Sequence, residues 1–202
     1  MEFFKNNKQV ILPDMRGHGK SYTTDVSNFL EDSVEDLKET LDHLGVEQPH
    51  LVGCSLGGFI ALAFAKKYKV RTLSISGIIS DKPDNWTELH AGDVAHQIEL
   101  LNDPQAVAYF DTLHESDWKQ FIHMAVNDDW YPFELTKNIS EIQVPFLFMV
   151  GEGNINEVST ASKYQQMNPN VHISVIPFAS HLVHAQKPEI YIQILDDFLS
   201  ST

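Results

Sequence analysis

Residues 50–58 read HLVGCSLGG, an apolar run that ends abruptly in a serine between glycines. Residues 53–57 match the pattern G-x-S-x-G, and one more glycine follows. Residues 50–54 are typical of a buried strand, whereas residues 57–68 (GGFIALAFAKKY) are typical of a helix that packs closely against a sheet. The stretch therefore predicts a strand that turns sharply into a helix, with Ser55 at the turn.

The glycines around Ser55 have a physical reason in such a turn. The turn strains the backbone of the serine, and side chains at Gly53 or Gly57 would collide with the neighbouring strand and helix. Ser55 Oγ would then stand at a helix N-terminus, where the backbone N–H of Leu56 can stabilise an oxyanion. We therefore expect Ser55 to be a nucleophile. The alternative is a small residue at a tight turn.

Strand-like apolar runs alternate with helical patterns along the rest of the chain. The near-continuous apolar runs indicate strands that are buried on both faces, as in parallel sheets. The alternation predicts an α/β fold, with a mostly parallel sheet flanked by helices. The predicted strands are residues 8–13, 50–54, 70–79, 144–150 and 171–177, and the predicted helices are residues 27–44, 57–68, 158–167 and 188–199.

Residues 81–143 interrupt this alternation, because the segment is far longer than one crossover helix. We predict a helical cap inserted into an α/β core that residues 1–80 and 144–202 form. The segment holds much of the aromatic content of the chain, and its rings either pack the cap together or line an apolar pocket. These rings belong to Trp86, Tyr109, Phe110, Trp118, Phe121, Trp130, Tyr131 and Phe133.

The charge balance argues against two classes of partner. Fourteen Lys and Arg against 28 Asp and Glu give a net charge of -14, which repels both nucleic acid and anionic membrane surfaces. The single cysteine, Cys54, cannot form an internal disulfide, and no apolar run approaches the roughly 20 residues that span a bilayer. The first residues, MEFFKNNKQVIL, lack the order of a signal peptide. We expect one cytoplasmic domain without nucleic acid or membrane partners.

Four motifs, in order, resemble those of the α/β-hydrolase family: PDMRGHGKS (residues 13–21), GCSLGG (53–58), VPFLFMVGEGN (144–154) and ASHLVHAQKPE (179–189). In that family the catalytic order is serine, acid, histidine. The resemblance implies a serine hydrolase, of carboxylesterase type, that acts on a small apolar ester, thioester or lactone. Carbon–carbon bond hydrolases and cofactor-free haloperoxidases share the scaffold and remain alternatives. No cofactor or metal is implied, since the histidines lack a ligand spacing such as H-E-x-x-H.

The resemblance also assigns the histidine. His181 falls at the position of the family's catalytic histidine, whose role is to take the Ser55 proton and return it to the leaving group. His184 is a weaker candidate. In the RGHG loop, Asp14 and Arg16 are expected to hold the loop in place.

The acid position departs from the family pattern, since Asn154 stands where relatives usually carry Asp. Its amide oxygen can accept a hydrogen bond from His181 Nδ1, but it cannot stabilise the imidazolium with a full charge. In serine proteases, an acid-to-amide change lowers kcat by about 10⁴. Three hypotheses remain: Asn154 orients His181, a substitute carboxylate does, or the chain is a weakly active or inactive ligand-binding protein. The candidate substitutes are Glu152, Glu157 and Asp81.

A second departure concerns the sheet. The resemblance places the start of this sequence just before the family's fourth strand, which implies that three strands and the loop with the second oxyanion donor are absent. Losing one such donor costs about 10² to 10³ in kcat. We expect an N-terminally truncated hydrolase in which residues 8–13 pair with residues 50–54, or a second copy covers that edge. Poor stability or self-association is the expected result.

Overall fold

The computed structural model describes residues 3–4 and 8–202. In these residues, four parallel strands form one sheet in the order β1-β2-β3-β4. The strands are β1 (His50–Cys54), β2 (Thr72–Ser76), β3 (Phe146–Gly151) and β4 (Val171–Ile176). Every residue of β2 and β3 is buried, as expected for strands that are covered on both faces. The α/β prediction, with a parallel sheet flanked by helices, is confirmed.

The sheet separates two apolar clusters. Phe146, Phe148 and Val150 of β3 belong to the cluster that includes the first two helices, whereas Leu147 and Met149 belong to a cluster that the last helix covers. The alternation follows from the two-residue period of a strand.

The helices are α1 (Phe29–His43), α2 (Leu56–Lys67), α3 (Trp86–Asn102), α4 (Pro104–Leu113), α5 (Lys119–Ala125), α6 (Phe133–Thr136), α7 (Ile155–Met167), α8 (Val183–Gln186) and α9 (Pro188–Ser201).

One predicted helix begins earlier than expected. The prediction started at residue 158, but α7 begins at Ile155 because Asn154 caps it. The side-chain oxygen of Asn154 accepts a hydrogen bond from the backbone N–H of Glu157 at 3.3 Å. Such a bond satisfies one of the N–H groups that a helix leaves free at its first turn. The earlier start places Glu157 in the first turn of α7.

The strand predicted over residues 8–13 is wrong. These residues have irregular backbone, and β1 is the outer strand of the described sheet. Ile11 packs against the core, but the next side chain, Leu12, is exposed. A short apolar run cannot be assigned to a strand from its pattern alone, and this one buries a single anchor instead of pairing. Val52 of β1 is 47% exposed, and the predicted self-association through this edge stays a prediction.

Four helices, α3 to α6, lie between β2 and β3, within the segment of residues 81–143, here called the insertion. Its two ends meet at the sheet. The hydroxyl of Thr136 donates to the carbonyl oxygen of Ser80 at 3.3 Å, and both side chains are buried. Lys66, at the end of α2, donates to the carbonyl oxygens of Leu135 and Asn138 at 3.0 and 2.7 Å. The entry and the exit of the insertion are therefore held together.

Several aromatic rings of the insertion pack on one another. The ring centroids of Trp86 and Phe133 are 4.9 Å apart, and those of Tyr131 and Phe133 are 4.4 Å apart. Phe59 of α2 lies 4.9 Å from Tyr131 and connects this group to the core. These rings hold the insertion on the sheet-bearing part of the chain.

Of the helices that the structure describes, none is long and apolar enough to cross a membrane.

Candidate active site

Ser55 lies at the junction of β1 and α2, and its backbone is strained. Its φ of 54° falls in the left-handed region, which a residue other than glycine adopts at a cost of roughly 1–3 kcal/mol. The Ser55 N–H donates to the carbonyl oxygen of Ser76 at 3.0 Å, and its carbonyl oxygen accepts from the N–H of Gly58 at 2.8 Å. Contacts on both sides therefore hold the strained turn in place.

The glycines around Ser55 are not equally constrained. A Cβ atom on Gly53 would lie 2.2 Å from the carbonyl oxygen of Gly57, and one on Gly58 would lie 3.0 Å from a methyl group of Ile75. A Cβ atom on Gly57 would meet only the sulfur of Met15, at 4.0 Å. The expectation of a collision is confirmed for Gly53 and wrong for Gly57, because position 57 faces open space. The close approach of β1 to α2 is what excludes a side chain at Gly53.

His181 lies in the loop between β4 and α8, beside the turn that carries Ser55. The link is Gly77, which follows β2 with a φ of 72°. A Cβ atom on Gly77 would lie 3.0 Å from His181 Cε1 and 3.1 Å from the backbone nitrogen of Ser55. The imidazole and the serine thus flank one small space, which stays open because residue 77 has no side chain.

The carboxylate that contacts His181 belongs to Glu157. Its Oε1 atom lies 2.7 Å from His181 Nδ1. The Glu157 side chain is only 2% exposed, whereas that of His181 is 45% exposed. The hydrogen bond to Glu157 raises the pKa of His181, although burial of the ring acts in the opposite direction. A buried carboxylate and a half-exposed imidazole therefore form a close pair.

Asn154, the residue predicted to orient His181, contacts Glu157 instead. Its amide nitrogen donates to Glu157 Oε1 at 2.8 Å, the same oxygen that faces the imidazole. As the N-cap of α7, Asn154 turns its side chain toward the first turn of the helix, which carries Glu157. The hypothesis that Asn154 contacts His181 directly is therefore wrong. Asn154 orients the carboxylate, and the carboxylate contacts the histidine.

The other two predicted substitutes are engaged elsewhere. Glu152 accepts a hydrogen bond from the backbone N–H of Phe178 at 2.7 Å. Asp81 pairs with Lys163, with 2.6 Å between Nζ and Oδ2, and with the hydroxyl of Ser80. Lys163, and then Ser80, hold the pKa of Asp81 below its ordinary value. Of the three carboxylates, only Glu157 pairs with His181.

A sequence signal for Glu157 exists in residues 154–157 (NINE), where Asn and Glu stand three residues apart. An Asn or Ser followed three residues later by Glu is typical of a helix start, with the Glu in the first turn. The predicted helix began at residue 158, one residue after Glu157, so Glu157 was only one of three candidate carboxylates. A helix start at residue 154 would have singled it out.

The RGHG loop has the structural role predicted for it. Asp14 accepts a hydrogen bond from the backbone N–H of Lys20 at 3.0 Å. Arg16 binds both carboxylate oxygens of Asp36 in α1, at 2.9 and 2.8 Å. His184 lies beside Tyr191, with ring centroids 6.0 Å apart. In residues 3–4 and 8–202, no group of three or more His, Cys, Asp or Glu side chains is arranged to hold a metal ion.

Comparisons with known proteins agree with this fold. A family model for the alpha/beta hydrolase fold matches residues 2–99. The 3-oxoadipate enol-lactonase 1 of Acinetobacter baylyi is 24% identical over an alignment that covers 98% of this chain and 80% of that protein. A 2-hydroxy-6-oxononadienedioate/2-hydroxy-6-oxononatrienedioate hydrolase of Paraburkholderia phymatum is 45% identical over 99 residues, 48% of this chain and 34% of that protein.

Solved structures show the same fold. NosK from Streptomyces actuosus superposes with a TM-score of 0.82 at 23% identity, covering 99% of this chain and 89% of that one. Est816, described as an N-acyl homoserine lactone degrading enzyme, superposes with a TM-score of 0.65 at 20% identity, covering 92% and 80%. Given the parallel sheet, the strained serine between β1 and α2 and these matches, the chain has the α/β-hydrolase fold.

Proposed function

We propose that the protein is a serine hydrolase that acts on small ester, thioester or lactone substrates. The observation that carries this proposal is the contact of 2.7 Å between His181 Nδ1 and the buried Glu157. A carboxylate at Nδ1 fixes the imidazole with Nε2 free to accept a proton, which is the state that activates a serine. The strained turn at Ser55, next to the same imidazole, supports the proposal.

In this mechanism Ser55 Oγ attacks the substrate carbonyl carbon while its proton passes to His181 Nε2. The imidazolium then gives that proton to the leaving group, and the acyl group stays on Ser55. A water molecule, deprotonated by His181, releases the acid and restores the serine. Glu157 stabilises the imidazolium with a full negative charge, and Asn154 holds Glu157 in position.

The backbone N–H of Leu56 is the proposed oxyanion donor. Leu56 is the first residue of α2, and the first four N–H groups of a helix have no partner within the helix. The helix dipole adds positive potential at the same point. Negative charge that develops on the carbonyl oxygen would therefore be stabilised beside Ser55.

The insertion is the proposed cap over this site. It enters the chain after β2, directly behind the Gly77 turn that touches both Ser55 and His181. Such a cover displaces bulk water from an active site and strengthens the electrostatic interactions inside it. The names of the relatives favour lactones and other small acyl compounds as substrates.

The Paraburkholderia relative favours a second candidate, hydrolysis of a dienedioate. Its local identity of 45% is higher than that of the lactonase, although the match covers only 34% of that protein. A dienedioate carries two carboxylates, so the two candidates differ in the charge of the substrate. Assays with neutral and dianionic substrates would separate them.

The direct test is labelling with a fluorophosphonate probe together with assays on p-nitrophenyl esters, thioesters and lactones. We expect the probe to label the protein and at least one substrate to be hydrolysed. Both should be lost in Ser55→Ala, with a fall in kcat on the order of 10⁶. A folded protein that neither reacts with the probe nor hydrolyses any of these substrates would overturn the proposal in favour of the ligand-binding alternative.

A further inference from the structure

The Gly77 turn, residues 77–80, leads from β2 into the insertion and touches two residues of the candidate site. A Cβ atom on Gly77 would lie 3.0 Å from His181 Cε1 and 3.1 Å from the backbone nitrogen of Ser55. The Ser55 N–H also donates to the carbonyl oxygen of Ser76, the residue just before the turn, at 3.0 Å. A shift of the turn would therefore alter the position of the imidazole relative to Ser55.

The hydroxyl group of Tyr131 holds the middle of this turn. It accepts a hydrogen bond from the Ile79 N–H at 2.6 Å and donates one to the Ile79 carbonyl oxygen at 3.2 Å. A tyrosine hydroxyl can donate and accept at once, so one side chain pairs with both backbone groups of Ile79. Burial raises the pKa of Tyr131, which keeps the hydroxyl protonated and able to donate. Loss of the hydroxyl would take both partners from Ile79 and disfavour this conformation of the turn.

The ring of Tyr131 is fixed by aromatic packing within the insertion and against α2. Its centroid lies 4.4 Å from that of Phe133, 5.5 Å from that of Trp86 and 4.9 Å from that of Phe59. Trp86 is 6% exposed and Phe59 is 4% exposed, so these contacts leave the ring little freedom to move. Tyr131 therefore links the seating of the insertion on α2 to the position of the Gly77 turn.

We propose that Tyr131 is a positioning residue for the hydrolytic reaction. Its hydroxyl keeps the Gly77 turn in the place where the Ser55 proton can pass to His181. The site then works only when the insertion is seated on α2. This inference rests on the proposed hydrolase function. Because Tyr131 acts on proton transfer and not on contacts with the substrate, its contribution belongs to kcat and not to KM.

The test is Tyr131→Phe, which keeps the ring and its aromatic contacts and removes only the hydroxyl. We expect kcat for a p-nitrophenyl ester to fall about 10- to 100-fold, since a misplacement of about 1 Å can cost about 10² in rate. KM should stay within about twofold. The rate at which the fluorophosphonate probe labels Ser55 should fall together with kcat. An unchanged kcat, or a loss that lies wholly in KM, would overturn the proposal.

The matched control is Tyr164→Phe. Tyr164 is buried in α7, and its hydroxyl donates to the carbonyl oxygen of Thr136, at the exit of the insertion, at 2.7 Å. This variant also loses a hydroxyl that bonds to the backbone, but the lost bond does not reach the Gly77 turn. Both variants should lower the urea midpoint of unfolding, and only Tyr131→Phe should lower kcat. Equal losses of kcat would show that Tyr131 supports only the fold and would overturn the proposal.

A double variant tests whether Tyr131 acts through His181. Residues that act as a unit show losses that do not add. In the His181→Ala background, Tyr131→Phe should therefore cause no further fall in the residual hydrolysis of an activated ester. A further fall as large as that in the wild type would contradict the proposal.

Thr160→Val is the second variant if Tyr131→Phe does not fold. Thr160 Oγ1 accepts a hydrogen bond from the N–H of Ser80, in the same turn, at 2.9 Å. Valine has the branching of threonine without the hydroxyl, so this variant removes a second support of the turn. kcat should again fall with KM unchanged, and a kcat equal to that of the wild type would overturn the proposal.

A spectroscopic measurement separates failure of this inference from failure of the hydrolase proposal. His181 Cε1 lies beside Gly77, so the NMR resonance of its proton, assigned by its loss in His181→Ala, reports the position of the turn. The resonance should shift in Tyr131→Phe and not in Tyr164→Phe, whether or not the wild type hydrolyses an ester. An unmoved resonance in Tyr131→Phe would overturn the inference even if the wild type is active. A shifted resonance in a protein that hydrolyses no ester would support the hold of Tyr131 on the turn and overturn only the hydrolase proposal.

Discussion

The turn between β1 and α2 that carries Ser55, here called the elbow, and the helix start that carries Glu157 position two members of the same candidate site by different means. At the elbow, backbone packing fixes the position: a side chain at Gly53 would collide with the carbonyl oxygen of Gly57, and hydrogen bonds to Ser76 and Gly58 hold the turn. At the helix start, side-chain contacts fix the position of the carboxylate, because Asn154 caps α7 and holds the Glu157 carboxylate toward His181.

This difference determines how each part tolerates change. A site that backbone packing fixes requires particular residue types at particular spacings, since one added methyl group has nowhere to go. A site that side chains fix can accept its carboxylate from more than one position, provided that the oxygen reaches the imidazole. The superfamily pattern is therefore kept at the serine and altered at the acid.

The largest effect is expected when the acid is neutralised. Glu157→Gln leaves Nδ1 of His181 facing an amide, which can favour the wrong tautomer and cannot stabilise the imidazolium, so kcat for ester hydrolysis should fall by about 10⁴. Single-turnover and steady-state kinetics would measure it. Glu152→Gln is the matched control, since Glu152 lies in the turn just before α7 but bonds to the backbone of Phe178, and it should change kcat little. Equal losses in both variants would refute the assignment of Glu157.

Substitutions of the glycines at the elbow should change the free energy of unfolding. Gly53→Ala places a methyl group 2.2 Å from a carbonyl oxygen, so it should destabilise the fold by about 3 kcal/mol or more. Gly57→Ala has open space and lies inside α2, so it should be neutral or stabilise the protein by up to about 1 kcal/mol. Urea unfolding of the two variants would measure both changes. If they cost the same, the packing account of the elbow is wrong.

A smaller effect is expected at Asn154. Asn154→Asp replaces the amide that donates to Glu157 Oε1 with a second carboxylate, so it should repel Glu157 and lower kcat about tenfold, although the family pattern favours Asp at this position. Asn154→Ala, which removes the cap without adding charge, should cost about 1 kcal/mol of stability. A large gain of ester hydrolysis in Asn154→Asp would show that residue 154, and not Glu157, is the acid position.

The smallest effect concerns pH. The reaction needs neutral His181, whose pKa Glu157 raises above the ordinary 6.5, so kcat/KM should fall on the acid side with a midpoint above 6.5. Glu157→Gln should shift that midpoint to lower pH. Because the folded pKa is raised, the protonated imidazole stabilises the fold fully below the unfolded pKa, and this contribution is lost as pH rises through the folded pKa. Thermal unfolding over the same range should show the loss in the wild type and not in Glu157→Gln.

The sequence predicted the parts of the molecule that repeat a local pattern. β1, α1, α2 and α9 follow from continuous or periodic apolar residues, and the strained serine follows from its glycines. The prediction failed at residues 8–13, where an apolar run buries one anchor without pairing, and at Asn154, where a polar side chain had two possible partners. At residues 8–13 the outcome depends on a tertiary neighbour, which no local pattern encodes. At Asn154 the local N-cap pattern of residues 154–157 exists, but the helix was predicted to begin too late to include it.

The two ends of the insertion are held together, so the segment between them can change with little effect on the rest of the fold. Since the hydroxyl of Thr136 bonds to Ser80 and Lys66 holds Leu135 and Asn138, the chain leaves and rejoins the sheet at one anchored point. Loop-closure entropy grows only slowly with length, so a longer or shorter segment between such anchors costs about 0.6 kcal/mol for each doubling. The helices of the insertion can therefore change in number or length while Ser55, Glu157 and His181 keep their positions.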